Sequence, residues 1–158
     1  MILYYILILL IFILLFLCFF YRIKEGKYYE NNIISSPSYG KIIHIDKNFK
    51  LNNQKYILVS IFLSINDIHY QYFPISGVIN SIKYDNTGKF KLAFNYNKSK
   101  DNEKVITTMK TDYGNIIVQQ IAGFFVRRIS TMISNIDSEG VKVNVGDKLF
   151  DVPELSAR

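Results

Sequence analysis

Residues Ile61 to Gly77 read IFLSINDIHYQYFPISG. An apolar run opens the stretch, Asn66-Asp67-Ile68-His69 interrupts it, and Pro74, Ser76 and Gly77 close it. Polar groups at the tip of a segment that wants burial have a rigid support, and functional groups are often placed this way. His69 is one of 2 histidines in the chain, and Asp67 lies two residues before it. In an extended segment these side chains share a face. The Asp67 carboxylate could then orient the imidazole and raise its pKa. The same residues also read as an exposed turn after a strand, with His69 taking no part in chemistry.

Upstream of this stretch, Tyr56 to Leu63 is almost uninterrupted in apolar residues, the pattern of a strand covered on both faces. Asn52-Asn53 suggests a turn, Lys41 to Asp46 a short strand, and Ser36-Pro37-Ser38-Tyr39-Gly40 another turn. Downstream, Val78 to Tyr84 reads as a strand that ends at Asp85-Asn86-Thr87-Gly88. Phe90, Leu92, Phe94 and Tyr96 alternate with Lys89, Lys91, Ala93 and Asn95, which predicts a half-buried strand. Asn97 to Lys104 is a polar loop. Val105 to Thr111 and Asn115 to Gln120 flank Asp112-Tyr113-Gly114 as a hairpin. The apolar spacing from Ile121 to Ile136 fits a short helix, with a strand as the alternative at its beginning. Val141, Val143 and Val145 share one strand face before a turn at Gly146-Asp147. The expected fold is mainly β (a β-rich α+β domain), compact and single, with many short strands and one or a few helices.

An N-terminal transmembrane helix precedes that domain. Ile2 to Tyr21 contains no charge, Gly or Pro, and about 20 apolar residues suffice to cross the hydrocarbon core. A cleaved signal peptide would have a charged start, a shorter apolar core and a small-residue cleavage site. None is visible, so a retained single-pass anchor is expected. Arg22, Lys24 and Lys27 follow at once, which puts the rest of the chain on the cytosolic side. The expected organisation is an anchor over 1–21, a linker over 22–35, a domain over 36–149 and an atypical tail over 150–158.

The net charge of +6 lies wholly beyond the anchor. A basic domain tethered to a bilayer is drawn to anionic head groups. The lysines are spread rather than clustered and no RNA-binding signature occurs, so nucleic acid is not an expected partner. Cys18, in the apolar run, is the sole cysteine, which excludes a disulfide framework within one chain. His44 lies among isoleucines and reads as structural. Two histidines with distant carboxylates make no metal motif.

Taken in order, several segments resemble the phosphatidylserine decarboxylase family in its short form. Ser36-Pro37 with Gly40 resembles an opening Ser-Pro-x-x-Gly motif. Phe62-Leu63-Ser64, Asp67-Ile68-His69 and Pro74-Ile75-Ser76-Gly77 resemble the family's Phe-Leu/Met-Ser-x-x-Asp-x-His and Pro-x-x-Gly segment. Gly88-Lys89-Phe90 with Ala93, then Asn102-Glu103, then Gln120-Ile121-Ala122-Gly123 with Arg127-Arg128, follow in family order. Gly140 and Gly146-Asp147-Lys148-Leu149 resemble its last turn. The resemblance implies a proenzyme that cuts its own chain at a Gly-Ser bond, the serine becoming a covalent pyruvoyl group. That group's carbonyl withdraws electrons so that phosphatidylserine loses CO2 and becomes phosphatidylethanolamine. It further implies that His69 handles protons beside the pyruvoyl group, with Asp67 orienting it, and that Ser156 is the pyruvoyl-forming serine. Arg127 and Arg128 could meet the lipid phosphate or could cap a helix. The implied partners are an anionic phospholipid membrane and phosphatidylserine, with a homodimer left open.

The chain departs from the pattern at several positions. Tyr39 stands where many members have an Asp that helps self-cleavage. Tyr72 stands where larger members have a second His. After Leu149 the chain reads Phe150-Asp151-Val152-Pro153-Glu154-Leu155-Ser156-Ala157-Arg158, so Leu155 occupies the place of the Gly. Leucine resists backbone geometries that Gly permits, and Pro153 falls where a strand is expected. These departures leave a second expectation: a catalytically inactive, membrane-anchored lipid-binding homologue. A likeness of Gly140 to Leu149 to the turn of lipoyl-carrier barrels is discounted, because no carrier lysine accompanies it.

Overall fold

The computed structural model describes residues 1–20, 22, 33–127, 129 and 140–149. Helix α1 (Ile2–Phe20) is followed by strands β1 (Lys41–Leu51), β2 (Gln54–Phe62) and β3 (Gly77–Asp85). A helical turn, α2 (Tyr96–Ser99), precedes β4 (Lys104–Thr111), β5 (Gly114–Ile121) and β6 (Val141–Val143). The domain is strand-rich, as its alternating patterns and turn residues predict. Among the described residues one helix, over Ile2–Phe19, is long and apolar enough to cross a membrane, and its side chains are exposed.

Strands β3 to β6 form an antiparallel sheet in the order β5-β4-β3-β6. In β4 the side chains of Val105, Thr107, Met109 and Thr111 are buried while their neighbours are not, the period of two of a half-buried strand. Ile79 pairs with Met109 across β3–β4 and with Val141 across β3–β6. These residues, with Phe73, Ile75, Val118 and Leu149, make the core. Gly77 begins β3 where a Cβ would sit 2.5 Å from the Lys110 carbonyl oxygen, so only glycine lets the strands approach there.

Strands β1 and β2 form a separate two-stranded antiparallel ribbon. Asn52 and Asn53 join them at φ 49° and 62°, the left-handed pair that a two-residue hairpin turn requires and that asparagine tolerates. The expected turn is therefore present, but β1 runs to Leu51, well past Asp46. The expectation that β2 is covered on both faces is wrong. Ile57 is 70% exposed and Val59 46%, because a ribbon of two strands has one face without a covering layer among the described residues. An apolar run specifies a wish for burial, not what supplies it.

The alternation from Phe90 to Tyr96 also misleads. No strand forms there. The Asn102 side chain takes the place of a neighbouring strand: its Oδ1 accepts from the Lys91 amide at 2.9 Å, and its Nδ2 donates to the Lys91 carbonyl at 2.7 Å. Asn95 then caps α2, its side chain accepting from the Lys98 amide. The helix expected over Ile121 to Ile136 is not found in its described part either, since Ile121 ends β5 and residues 122–127 are irregular. The remainder, Ile129 apart, lies outside the described residues.

Asn102 is fully buried, and its Nδ2 also donates to the Ala122 carbonyl at 2.8 Å. The Glu103 amide donates to the Lys89 carbonyl, and the Glu103 carbonyl accepts from the Ala122 amide. The Gly-Lys-Phe, Asn-Glu and Gln-Ile-Ala-Gly segments, distant in sequence, thus meet at the Asn102-Glu103 pair. Asn102→Ala is expected to cost about 3 kcal/mol, since it removes these bonds and strands buried backbone groups. Thermal unfolding of the full chain in bilayer nanodiscs should show a midpoint lower by roughly 10 °C.

Candidate functional site

The segment from Gln71 to Ser76 is held from both sides by its backbone. On one side Tyr72 donates to the Pro37 carbonyl and Ser35 to the Pro74 carbonyl, at 2.9 and 2.8 Å. On the other, Phe73 donates to the Asp147 carbonyl, Gly146 to the Phe73 carbonyl and Leu149 to the Gln71 carbonyl. The Ser76 hydroxyl accepts from the Val145 amide at 2.9 Å. The Ser-Pro turn and the Gly-Asp turn therefore converge on the segment that follows His69, which fixes where the imidazole emerges.

Before His69 the chain makes a tight turn rather than running extended. The Asp67 carboxylate accepts from the Ser64 amide at 2.7 Å, and the Asp67 amide donates to the Ser64 carbonyl at 2.9 Å. This corrects the expected pairing of carboxylate and imidazole. The Asp67 group on His69 is its backbone carbonyl, 2.9 Å from Nδ1. A carbonyl only accepts, so Nδ1 carries the proton, and in the neutral ring Nε2 bears the lone pair. Asp67 orients the ring, but through its main chain.

The expected rise in the His69 pKa is reversed as well. Burial of the half-buried ring holds its pKa below 6.5, outweighing the upward pull of the Asp67 carbonyl and carboxylate, while the nearby Arg22 charge adds to the lowering. The imidazole is consequently neutral at pH 7. Unfolding returns it to water, where it binds a proton more readily. Between 6.5 and the lower folded pKa the unfolded chain holds more protons, so stability rises with pH. The His69 contribution is complete above 6.5 and is lost as pH falls below it. Denaturant midpoints between pH 7 and pH 5 should show this decline, and His69→Gln should remove that part of the slope.

His69 lies on the wall of a large cleft of about 1620 Å³ between the β1–β2 ribbon and β5 with the segment after it. Leu58, Phe62, Ile116 and Val118 contribute its apolar lining. Gln120, which heads the Gln-Ile-Ala-Gly segment but was given no role from sequence, also lines the cleft. Gln120 is 6% exposed and its Oε1 has no hydrogen-bond partner among the described residues, a costly state for a buried amide unless a ligand or water meets it. Membership of that segment does not tell that the side-chain carbonyl is buried and unmet. Arg22, read above only as a topology signal, was missed too: its guanidinium reaches the Asn66 carbonyl at 2.5 Å.

The other candidates are placed as follows. Arg127 is exposed, donates from Nε to the Phe124 carbonyl at 3.1 Å and stands over the Phe90 and Phe124 rings. It closes a local turn and is not among the residues lining the cleft. Arg128 and Ser156 lie outside the described residues. His44 is exposed and stacks on Tyr96 with ring centroids 5.0 Å apart. Tyr39 and Tyr72, the two tyrosines at unusual positions, come together: Tyr72 is buried with Ile68 and Tyr70, and Tyr39 packs against them. No cluster of metal-ligating side chains occurs among the described residues.

Comparison with known proteins gives consistent similarities. A family model described as phosphatidylserine decarboxylase matches residues 15–151. A phosphatidylserine decarboxylase proenzyme of Wolbachia pipientis wMel is 40% identical over 107 residues, covering 63% of this chain and 46% of the relative. The proenzyme of Chlorobaculum tepidum is 33% identical over 147 residues, 92% of this chain and 65% of the relative. That of Solibacter usitatus is 34% identical over 120 residues, 76% and 56%. The chain thus spans about half to two thirds of the length of these relatives.

Proposed function

Because the chain belongs to the phosphatidylserine decarboxylase family, we propose that it acts on phosphatidylserine at a membrane, releasing CO2 and leaving phosphatidylethanolamine. The observation that carries this reading is a neutral imidazole of fixed tautomer on the wall of a large apolar cleft. Such a cleft suits acyl chains, and the positive net charge suits an anionic head group. In this reading α1 anchors the chain and the domain faces the cytosol. Arg127 and Arg128 offer charge to phosphate, and copies of the chain can pair as a homodimer.

The family chemistry needs a pyruvoyl group, proposed to come from Ser156, which when bound supplies an electron-withdrawing carbonyl. The described residues fit such a group: His69 is a neutral ring with its proton fixed on Nδ1, and Gln120 brings to the same cleft a buried carbonyl that no described residue meets. The substrate's ammonium must lose a proton before its nitrogen can react, and Nε2 of His69 takes that proton. The resulting imidazolium can return it to the carbon that CO2 leaves. The Asp67 carbonyl holds the ring throughout, and the apolar walls exclude water from it.

A second reading, a catalytically inactive lipid-binding homologue, is favoured by the packing of Tyr39 and Tyr72 into one apolar cluster. One experiment separates the two. The full chain in phosphatidylserine nanodiscs is assayed for CO2 from carboxyl-labelled lipid, and its mass is measured before and after hydroxylamine. Decarboxylation with a pyruvoyl-started fragment supports the enzyme. Lipid binding with an intact chain and no CO2 supports the silent module.

A further inference from the structure

We propose that Arg22 is a positioning residue that fastens the His69 turn to the C-terminal end of α1, holding the imidazole at head-group depth. This rests on the reading above that α1 spans the membrane and that His69 handles protons. Arg22 donates from Nη1 to the Phe19 carbonyl at 2.7 Å and from Nη2 to the Asn66 carbonyl at 2.5 Å. Its guanidinium also lies 4.0 Å above the Phe19 ring. One side chain therefore joins two places 44 residues apart.

Each contact has a separate reason. Phe19 is in the last turn of α1, where carbonyls lack intrahelical partners, and a cation there also meets the negative end of the helix dipole. The planar fork donates in two directions while its face stacks on an aromatic ring, which a lysine cannot do. Asn66 belongs to the turn that Asp67 closes on Ser64, and the next peptide carbonyl, that of Asp67, holds Nδ1 of His69. The path from helix end to imidazole thus runs through two hydrogen-bonded carbonyls of adjacent residues. At about 1.5 Å per residue the 19 residues of α1 span close to the ~30 Å hydrocarbon thickness, so Arg22 falls at its boundary.

The depth is measured on the full chain in nanodiscs containing a nickel-chelating lipid. Cys18→Ser removes the native thiol, and a nitroxide is attached through Asn66→Cys, since Asn66 contributes only its backbone carbonyl to the tie. A second nitroxide on Thr87→Cys, in the exposed turn after β3, is the control. Relaxation enhancement by the lipid-bound nickel is expected at position 66 and weak at 87. Arg22→Gln and Arg22→Lys should each lose most of the enhancement at 66, with an unchanged thermal midpoint. The His69 ring, titrated by NMR, should move to a higher pKa in Arg22→Gln and stay near the parent value in Arg22→Lys, which keeps charge but not the fork. Undiminished enhancement at 66 in Arg22→Gln, or none in the parent, overturns the proposal. Loss of CO2 release with the enhancement intact would count against the enzyme reading and leave the tie standing.

Discussion

Replacing His69 with alanine is expected to lower CO2 release from phosphatidylserine by about 10²- to 10⁴-fold, the range that a positioned general acid–base contributes. The fall should appear in kcat, with KM nearly unchanged, because the apolar cleft proposed to take the lipid is untouched. His44→Ala is the matched control: His44 is exposed and stacked on Tyr96, so it should keep full activity. Asp67→Asn is a sharper test of the geometry. Were the carboxylate bonded to the imidazole, removing its charge would damage catalysis nearly as much as losing the ring. The carboxylate instead accepts from the Ser64 amide, and the carbonyl holds Nδ1. An asparagine oxygen can still accept from Ser64, so Asp67→Asn should lose no more than about tenfold, near the value of one hydrogen bond. The pH profile follows from burial. With the pKa of His69 held below 6.5, the proton-accepting ring is already available at pH 6.5, and activity should level off near there and fall toward acid. Full activity in His69→Ala, or a profile that rises only well above pH 7, would remove His69 from the mechanism.

The positions that sequence reading handled well are those where local chemistry alone decides the backbone. Asn52-Asn53, Gly88, Gly140 and Gly146 all take left-handed φ values, and the residue types favour turns there whatever surrounds them. The hairpin read over Val105 to Thr111 and Asn115 to Gln120 likewise forms, as β4 paired with β5. Reading failed where a distant group intervened. The strand pattern at Phe90 to Tyr96 is defeated by Asn102, which saturates the Lys91 backbone and removes the need for a neighbouring strand. Phe94 is left 59% exposed, so alternation there did not track burial. At the site, the spacing of Asp67 and His69 pointed to the right pair but the wrong atoms. The period-two argument assumes extended backbone, and Ser64 to Asp67 is a turn. Arg22 and Gln120 could not have been found by spacing, since one acts on a carbonyl 44 residues away and the other matters through a missing partner.

Ser156→Ala is expected to abolish the processed fragment completely, and Leu155→Gly to increase its rate of formation by about tenfold or more. The reasoning concerns one peptide bond. For the chain to cut itself, the Ser156 hydroxyl oxygen must bond to the Leu155 carbonyl carbon and the Leu155–Ser156 C–N bond must break with a proton passing to the nitrogen, which leaves an ester. Loss of the Ser156 Cα proton with cleavage of its Cβ–Oγ bond then frees the Leu155 carboxylate, and water displaces the nitrogen as ammonia to leave the carbonyl. That approach requires a backbone conformation outside the regions a leucine occupies at low energy. Strain of this kind costs on the order of 1–3 kcal/mol for a residue with a Cβ and little for glycine, and each 1.36 kcal/mol is tenfold in rate. Tyr39 adds a second brake. It packs against Ile68, Tyr70 and Tyr72, so it offers hydrocarbon in the position where the family resemblance implies a carboxylate that helps self-cleavage. Tyr39→Asp should therefore speed cleavage further in the Leu155→Gly background, at some loss of stability, because a carboxylate would then sit against that cluster. The assay is mass spectrometry of the full chain over time, with the small C-terminal product beginning at the former Ser156. If Leu155→Gly leaves the chain as slow as before while Ser156→Ala leaves CO2 release intact, then Ser156 is not the serine that yields the electron-withdrawing carbonyl. The pyruvoyl group would then have to come from a different serine.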